Sequence, residues 1–327
     1  MTHARSILGL GAFWLVSGCA GVQSIAPSGG AHTSAFNDLF VIFLIVCGFF
    51  YLLVIGFLGA AILRRRREGD EGVPTLFRAW VALVSVSLVG LAFASWVTDR
   101  AMASYGEQGP PVRIRLTANQ WWWDVTYFGA THSEDLRTAN ELHLPVGRPA
   151  LIELHSNDVI HSFWVPNLAG KQDLIPGRTE DIALLPRMTG VFRGQCAEFC
   201  GAQHAHMALT VIVEPEAQFR AWSRQQLATA RPPATPLQQA GMTYVTTREC
   251  ATCHAIAGTT ASASVGPDLT HVASRKTIAA GTLPMGRGGL YAWIADPQGV
   301  KPGAHMPYIG LEARQLEAVV AYLESLK

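Results

Sequence analysis

The sequence predicts a multidomain membrane protein: a hairpin of two membrane-spanning helices, then an all-β domain, then an all-α domain. Three observations carry this reading. Residues 39–63 and 77–97 form two long apolar runs, the first without a charge and the second interrupted only by Arg78. Residues 112–214 break into short apolar or alternating segments punctuated by Gly, Pro and Asn, whereas residues 237–327 return to helical spacing after a proline-rich stretch. A 327-residue chain has room for two or three modules at about 150 residues per domain. The formal net charge of +1 gives no reason to expect nucleic acid or an acidic polymer as partner.

The N-terminus has the order of an export signal: Arg5, an apolar stretch from Ile7 to Val16, then small residues up to Cys19. This predicts a signal peptide over 1–18 and an extracytoplasmic segment over 19–37. Leu15-Val16-Ser17-Gly18-Cys19 resembles a bacterial lipoprotein processing site, which implies a lipidated Cys19; an ordinary cleavage site is the alternative. The hairpin is expected over 38–98, because each apolar run reaches the roughly 20 residues that cross the hydrocarbon layer. Arg64-Arg65-Arg66-Arg67 between the helices marks a cytoplasmic turn and places the chain beyond Thr98 outside.

The all-β domain is expected over 110–222, with strands at 112–117, 125–128, 141–144, 150–156, 180–185, 191–195 and 209–213 forming an antiparallel sandwich or barrel. Within it, Gln195–Met207 concentrates Cys196, Cys200, His204, His206 and Met207 in one loop. Thiolate, imidazole and thioether together favour copper over hard cations. These donors hold one copper, or two if both sulfurs bridge, in which case a second histidine is needed and His161, expected at the end of a strand, is the natural donor. A zinc site is the bland alternative, but zinc has little use for Met207.

At this point the chain resembles subunit II of haem-copper cytochrome c oxidases, from the hairpin to about Arg220. Three blocks carry the resemblance: Gln120-Trp121-Trp122-Trp123, the segment Asp158–Pro166 around His161, and the cysteine loop. It implies a cupredoxin-like Greek-key domain holding a binuclear copper centre, CuA. Cys196 and Cys200 then bridge both metals, His161 and His204 bind one each, and Met207 and the Glu198 carbonyl are weak axial ligands. The Glu198 side chain is implied at a magnesium or manganese ion shared with subunit I, and Trp121 at an exposed point where electrons enter. One departure stands out: Val73–Trp80 lacks the acidic residue that many members carry there, so that residue's proton role is not transferred.

The segment 223–236, with Ala230–Pro236 at its core, reads as a proline-stiffened linker. Beyond it, Cys250-Ala251-Thr252-Cys253-His254 is the attachment pattern of c-type haem, with His254 reaching iron from one face. A redox dithiol or a zinc site fits less well, because no second ligand pair lies nearby. The other axial ligand comes from downstream, with Met306 preferred and Met285 the runner-up. Gly303–Tyr308 resembles the methionine loop of class I cytochromes c, and Gly266-Pro267-Asp268-Leu269 the stretch whose proline carbonyl orients the proximal histidine. A helix over 311–326 is expected to pack on the one before Cys250.

The combination resembles subunit II of a caa-type oxidase. It implies a bacterial inner-membrane protein, in contact with lipid, that works with subunits I and III. Electrons pass from cytochrome c or another donor through haem c and CuA to subunit I, where oxygen is reduced and protons are pumped. The alternatives are a CuA subunit of a nitric oxide or nitrous oxide reductase and a copper-delivery protein.

Overall fold

The computed structural model describes residues 21, 23–25, 28–63 and 72–327. The export signal, Cys19 and Arg64–Arg67 lie outside the described residues.

Two helices open the described chain, α1 (Ala31–Leu63) and α2 (Val73–Ala103), and both are long and apolar enough to cross a membrane. Side chains such as Leu44, Leu52, Phe57, Val89 and Phe93 stand exposed along them. That much bare apolar surface marks helices made for lipid rather than for the interior of a soluble domain. The helices meet through an edge-on contact of Phe50 with Trp80, ring centres 5.5 Å apart. At 33 residues α1 is about 50 Å long, more than the roughly 30 Å hydrocarbon core. The surplus is used at its N-terminal end, where Ala31 N–H donates to Leu185 O at 2.9 Å and Ala31 and Thr33 are buried against the β-domain. The chain leaving α2 returns to the same end, with Tyr105 edge-on to His32 at 5.0 Å.

The β-domain is a cupredoxin-like sandwich. Its strands are β1 (Val112–Asn119), β2 (Trp122–Tyr127), β3 (Leu136–Ala139), β4 (Glu141–Pro145), β5 (Ala150–Ser156), β6 (His161–Trp164), β7 (Gln172–Leu174), β8 (Glu180–Leu184), β9 (Gly190–Cys196) and β10 (Ala208–Glu214). They form two five-stranded sheets, ordered β3-β2-β1-β5-β8 and β4-β10-β9-β6-β7. In β1 the alternation Val112, Ile114, Leu116, Ala118 points inward, and the core between the sheets adds Trp123, Leu154, Phe163 and Val211. The sheets are mixed rather than purely antiparallel: β1 pairs β5, and β10 pairs β4, in parallel. A strand that re-enters a sheet after the chain has visited the opposite layer is free to run in either direction, which a hairpin forbids.

Helix α3 (Glu216–Gln226) closes the sandwich through Phe219 and Trp222 on Tyr127, and it runs beyond Trp222 into the segment read as linker. The C-terminal domain comprises α4 (Pro236–Thr247), α5 (Arg287–Ala295), the short α6 (Pro297–Val300) and α7 (Ala313–Ser325), with a two-residue ribbon β11 (Thr277–Ile278) and β12 (Leu283–Pro284). Thr235 caps α4 by accepting Gln238 N–H, and Pro236 suits the first turn, where no N–H is needed. As expected, α7 packs on α4. The approach is so close that a Cβ on Gly241 would lie 2.0 Å from Ala318 O, and Val319, Val320 and Leu323 are buried.

Candidate metal centre and haem pocket

Strand pairing builds the first site. The register Phe163↔Cys196 between β6 and β9 sets His161, at the start of β6, beside the loop that leaves β9 at Cys196. The loop then folds back through a short 3-10 turn, His204–His206, into β10. This brings Cys196 Sγ and Cys200 Sγ to 3.7 Å, His161 Nδ1 to 3.7 Å from Cys196 Sγ, and His204 Nδ1 to 3.6 Å from Cys200 Sγ. Met207 Sδ lies 3.9 Å from Cys200 Sγ, and the Glu198 carbonyl oxygen 3.2 Å from Cys196 Sγ. His206 is exposed, and it is His204 that turns its ring to the sulfurs. His161, Cys196, Cys200 and Met207 are buried.

The donor set fits copper. The sulfurs are closer than twice a metal–thiolate bond of about 2.3 Å, so one ion can touch both, and each sulfur has its own imidazole. The buried thioether adds a soft donor that a structural zinc site would leave idle. His161 is fixed from behind: its Nε2–H donates to Asp158 Oδ1 at 2.7 Å, which leaves the Nδ1 lone pair facing Cys196. Burial works against a charge on this ring, but the Cys196 sulfur and the Asp158 carboxylate raise its pKa above the ordinary value. The mutual hydrogen bond of the two thiols splits the pair: with help from His161 and against burial it holds one thiol, Cys196, below the ordinary range, and together with burial it pushes the other, Cys200, up. Metal binding requires the thiolate form and so releases protons from this pair.

Asp158 and its use of both carboxylate oxygens were not read from the sequence; the i,i+3 spacing to His161 was the available signal. Its Oδ2 accepts Gln120 N–H at 2.6 Å and so ties the tryptophan motif to the loop. The Glu198 carboxylate, expected at a magnesium or manganese ion, is half-buried and lies 3.3 Å from Lys171 Nζ. Trp121 departs from expectation: it is only 8% exposed, because residues 301–305 of the C-terminal domain pack over it. Its indole N–H donates to Cys200 O at 2.9 Å.

The second site is an apolar cavity of about 440 Å³ whose wall includes Cys250, Cys253, His254 and Met306. Met306 faces the cavity, whereas Met285 is absent from its lining and packs on the domain core. His254 Nδ1–H donates to Pro267 O at 2.7 Å, and burial keeps the ring's pKa below its ordinary value. A neutral imidazole with a free Nε2 is the form that binds iron. Gly266 is required here, since a Cβ would lie 2.7 Å from the His254 ring. Arg275, buried in the same wall, leaves its Nε without a partner among the described residues. An apolar slot with a thiol pair, an imidazole, a thioether and a buried guanidinium that keeps one N–H unpartnered fits a flat group with an acidic edge, as haem is.

Two family models match the chain: cytochrome c oxidase subunit II, periplasmic domain, over residues 126–214, and cytochrome c over 238–327. The chain is 32% identical to cytochrome c oxidase subunit 2 of Alkalihalophilus pseudofirmus over 95% of its own length and 94% of that protein's. The chain belongs to the cytochrome c oxidase subunit II family. To subunit 2 of Bacillus sp. strain PS3 it is 31% identical over 80% of each chain. Among solved structures, the periplasmic domain of subunit II from Bradyrhizobium japonicum shares 27% identity, covering 36% of this chain and 96% of that one, with a TM-score of 0.34. The chain is thus a membrane-anchored subunit of a haem-copper oxidase whose family domains bind copper and haem, with a cytochrome c domain fused behind the copper domain.

Proposed function

We propose that this subunit receives electrons on the outer face of a bacterial inner membrane and delivers them to subunit I, which reduces oxygen and pumps protons with subunit III alongside. In this reading the N-terminus and both soluble domains are extracytoplasmic, Cys19 carries lipid, and the residues before α1 and after α2 meet the β-domain on that side. Cys196 and Cys200 would supply the thiolates that a copper pair shares, His161 and His204 one imidazole each, and Met207 and the Glu198 carbonyl weaker further donors. Cys250 and Cys253 would hold haem through thioethers, and His254 and Met306 would be the chain's donors to its iron. When bound, these groups supply one-electron carriers that change oxidation state with little movement of their ligands.

The chain's own residues do the rest. Asp158 holds the His161 tautomer, Pro267 O holds that of His254, and the sandwich core keeps water from the sulfurs. Trp121 spans the gap between the sites, lining the haem cavity with its ring and reaching Cys200 O with its N–H. The Glu198 carboxylate, half-buried beside the exposed Phe199 (76%), is available to an ion shared with subunit I. The observation that carries the reading is the pairing of two sulfurs 3.7 Å apart with one imidazole each. The test is visible and near-infrared absorption of the purified subunit. A mixed-valence copper band together with a c-haem band is expected, and a colourless copper-binding form would point to copper delivery instead.

A further inference from the structure

Lys301 is 2% exposed and no carboxylate pairs with it among the described residues. Its Nζ donates instead to three backbone carbonyls: Trp121 O at 2.8 Å, His206 O at 2.7 Å and Ala279 O at 3.0 Å. Two of these belong to the copper domain and one to the haem domain. A buried ammonium has three donors and is costly to leave unpaired, so three converging carbonyls define one position for it. Burial, offset only in part by the nearby Cys200 sulfur, brings its pKa down to about 7.

Further bonds run the same way. Ala208 N–H donates to Ala280 O at 2.9 Å, Gln203 Nε2 to Pro302 O at 2.8 Å, and Lys276 N–H to the Glu141 carboxylate. The haem cavity is itself completed by Gln120, Trp121, Trp122 and Asn140 of the copper domain.

We propose that Lys301 is a positioning residue, a buried clasp that holds the haem domain docked on the copper domain with Trp121 fixed between haem cavity and Cys200. The inference rests on the carrier reading above and adds that the two domains form one body rather than a tethered pair that collides. Transfer between the sites moves one electron and makes or breaks no bond, so its rate is set by this fixed geometry. A consequence is that no external donor reaches Trp121; the donor meets the haem domain.

The experiment uses the assembled oxidase, native and Lys301→Met. Hydrogen exchange reads docking directly: in the variant the Ala208 amide loses protection by roughly ten- to a hundredfold, while Val211 and Ile212 in the same strand keep theirs. Flash photolysis reads the handover, which is independent of added viscogen in the native enzyme and becomes slower and viscosity-dependent in the variant. Unchanged Ala208 protection and rate in the variant would overturn the clasp. So would a viscosity-dependent rate in the native enzyme, a measurement that stands even if the variant does not assemble. Missing copper or c-haem bands would instead sink the carrier reading, leaving the exchange result to decide docking alone.

Discussion

Replacing Asp158 by asparagine tests whether the copper site is organised from behind as its geometry implies. Asp158 Oδ1 accepts the His161 Nε2–H at 2.7 Å and Oδ2 accepts Gln120 N–H at 2.6 Å. Asparagine offers one acceptor oxygen to two donors, and its NH2 must face one of them. If the oxygen stays on His161, the imidazole keeps its tautomer but loses the negative charge that makes it a stronger base. Changes to such supporting residues weaken metal binding by about 10- to 100-fold, or roughly 1.4–2.7 kcal/mol. Partial exposure of the carboxylate trims the effect toward the lower end. The Gln120 N–H, left facing an NH2, costs the metal-free fold about 1–3 kcal/mol. The assay is copper competition against a chelator on the purified subunit, read by near-infrared absorption, with thermal melts of the metal-free form. Copper affinity within twofold of native in the variant would refute the claim that Asp158 sets the His161 donor.

Other outcomes rest on the same structure. Met306→Ala removes the thioether that faces the cavity and should lower the haem potential by a sizeable share of the roughly 0.8 V that axial ligands span, whereas Met285→Ala should leave it unchanged in a redox titration. Gly241→Ala places a Cβ 2.0 Å from Ala318 O and forces α4 from α7; at about 2–3 kcal/mol the haem domain should melt some 10–20 °C lower by calorimetry. His143 is buried, and although burial disfavours its charge, hydrogen bonds to Glu141 and Glu214 raise its pKa. Its contribution to folding is therefore full below the ordinary histidine value of 6.5 and lost as pH rises through the raised one. Urea melts of the subunit should weaken over that rise, and His143→Gln should flatten the dependence.

Much of this was legible in the sequence because it rests on local pattern. The apolar runs, the alternation in β1 and β5, the cysteine loop and Cys250–His254 are contiguous, and short spacing fixes their geometry. Strands β3 and β7 escaped notice because three or four residues are too few to show a period, and the strand expected to end at His161 instead begins there, as β6. The parallel pairings of β1 with β5 and β4 with β10 depend on which layer the chain has crossed, which no local signal encodes. Lys301 reads in the sequence as an ordinary lysine before Pro302, a residue type that favours solvent. Only the meeting of two domains supplies its three carbonyls and covers Trp121, and the partners of that contact are up to 180 residues apart.

Metal content of the native, fully assembled subunit is the most direct test of the central claim. Two copper atoms and one haem iron per chain are predicted, with Cys196→Ser and Cys200→Ser each abolishing the near-infrared band and leaving the haem spectrum intact. A single zinc or a single copper at the loop, or a near-infrared band that survives loss of either sulfur, would contradict it.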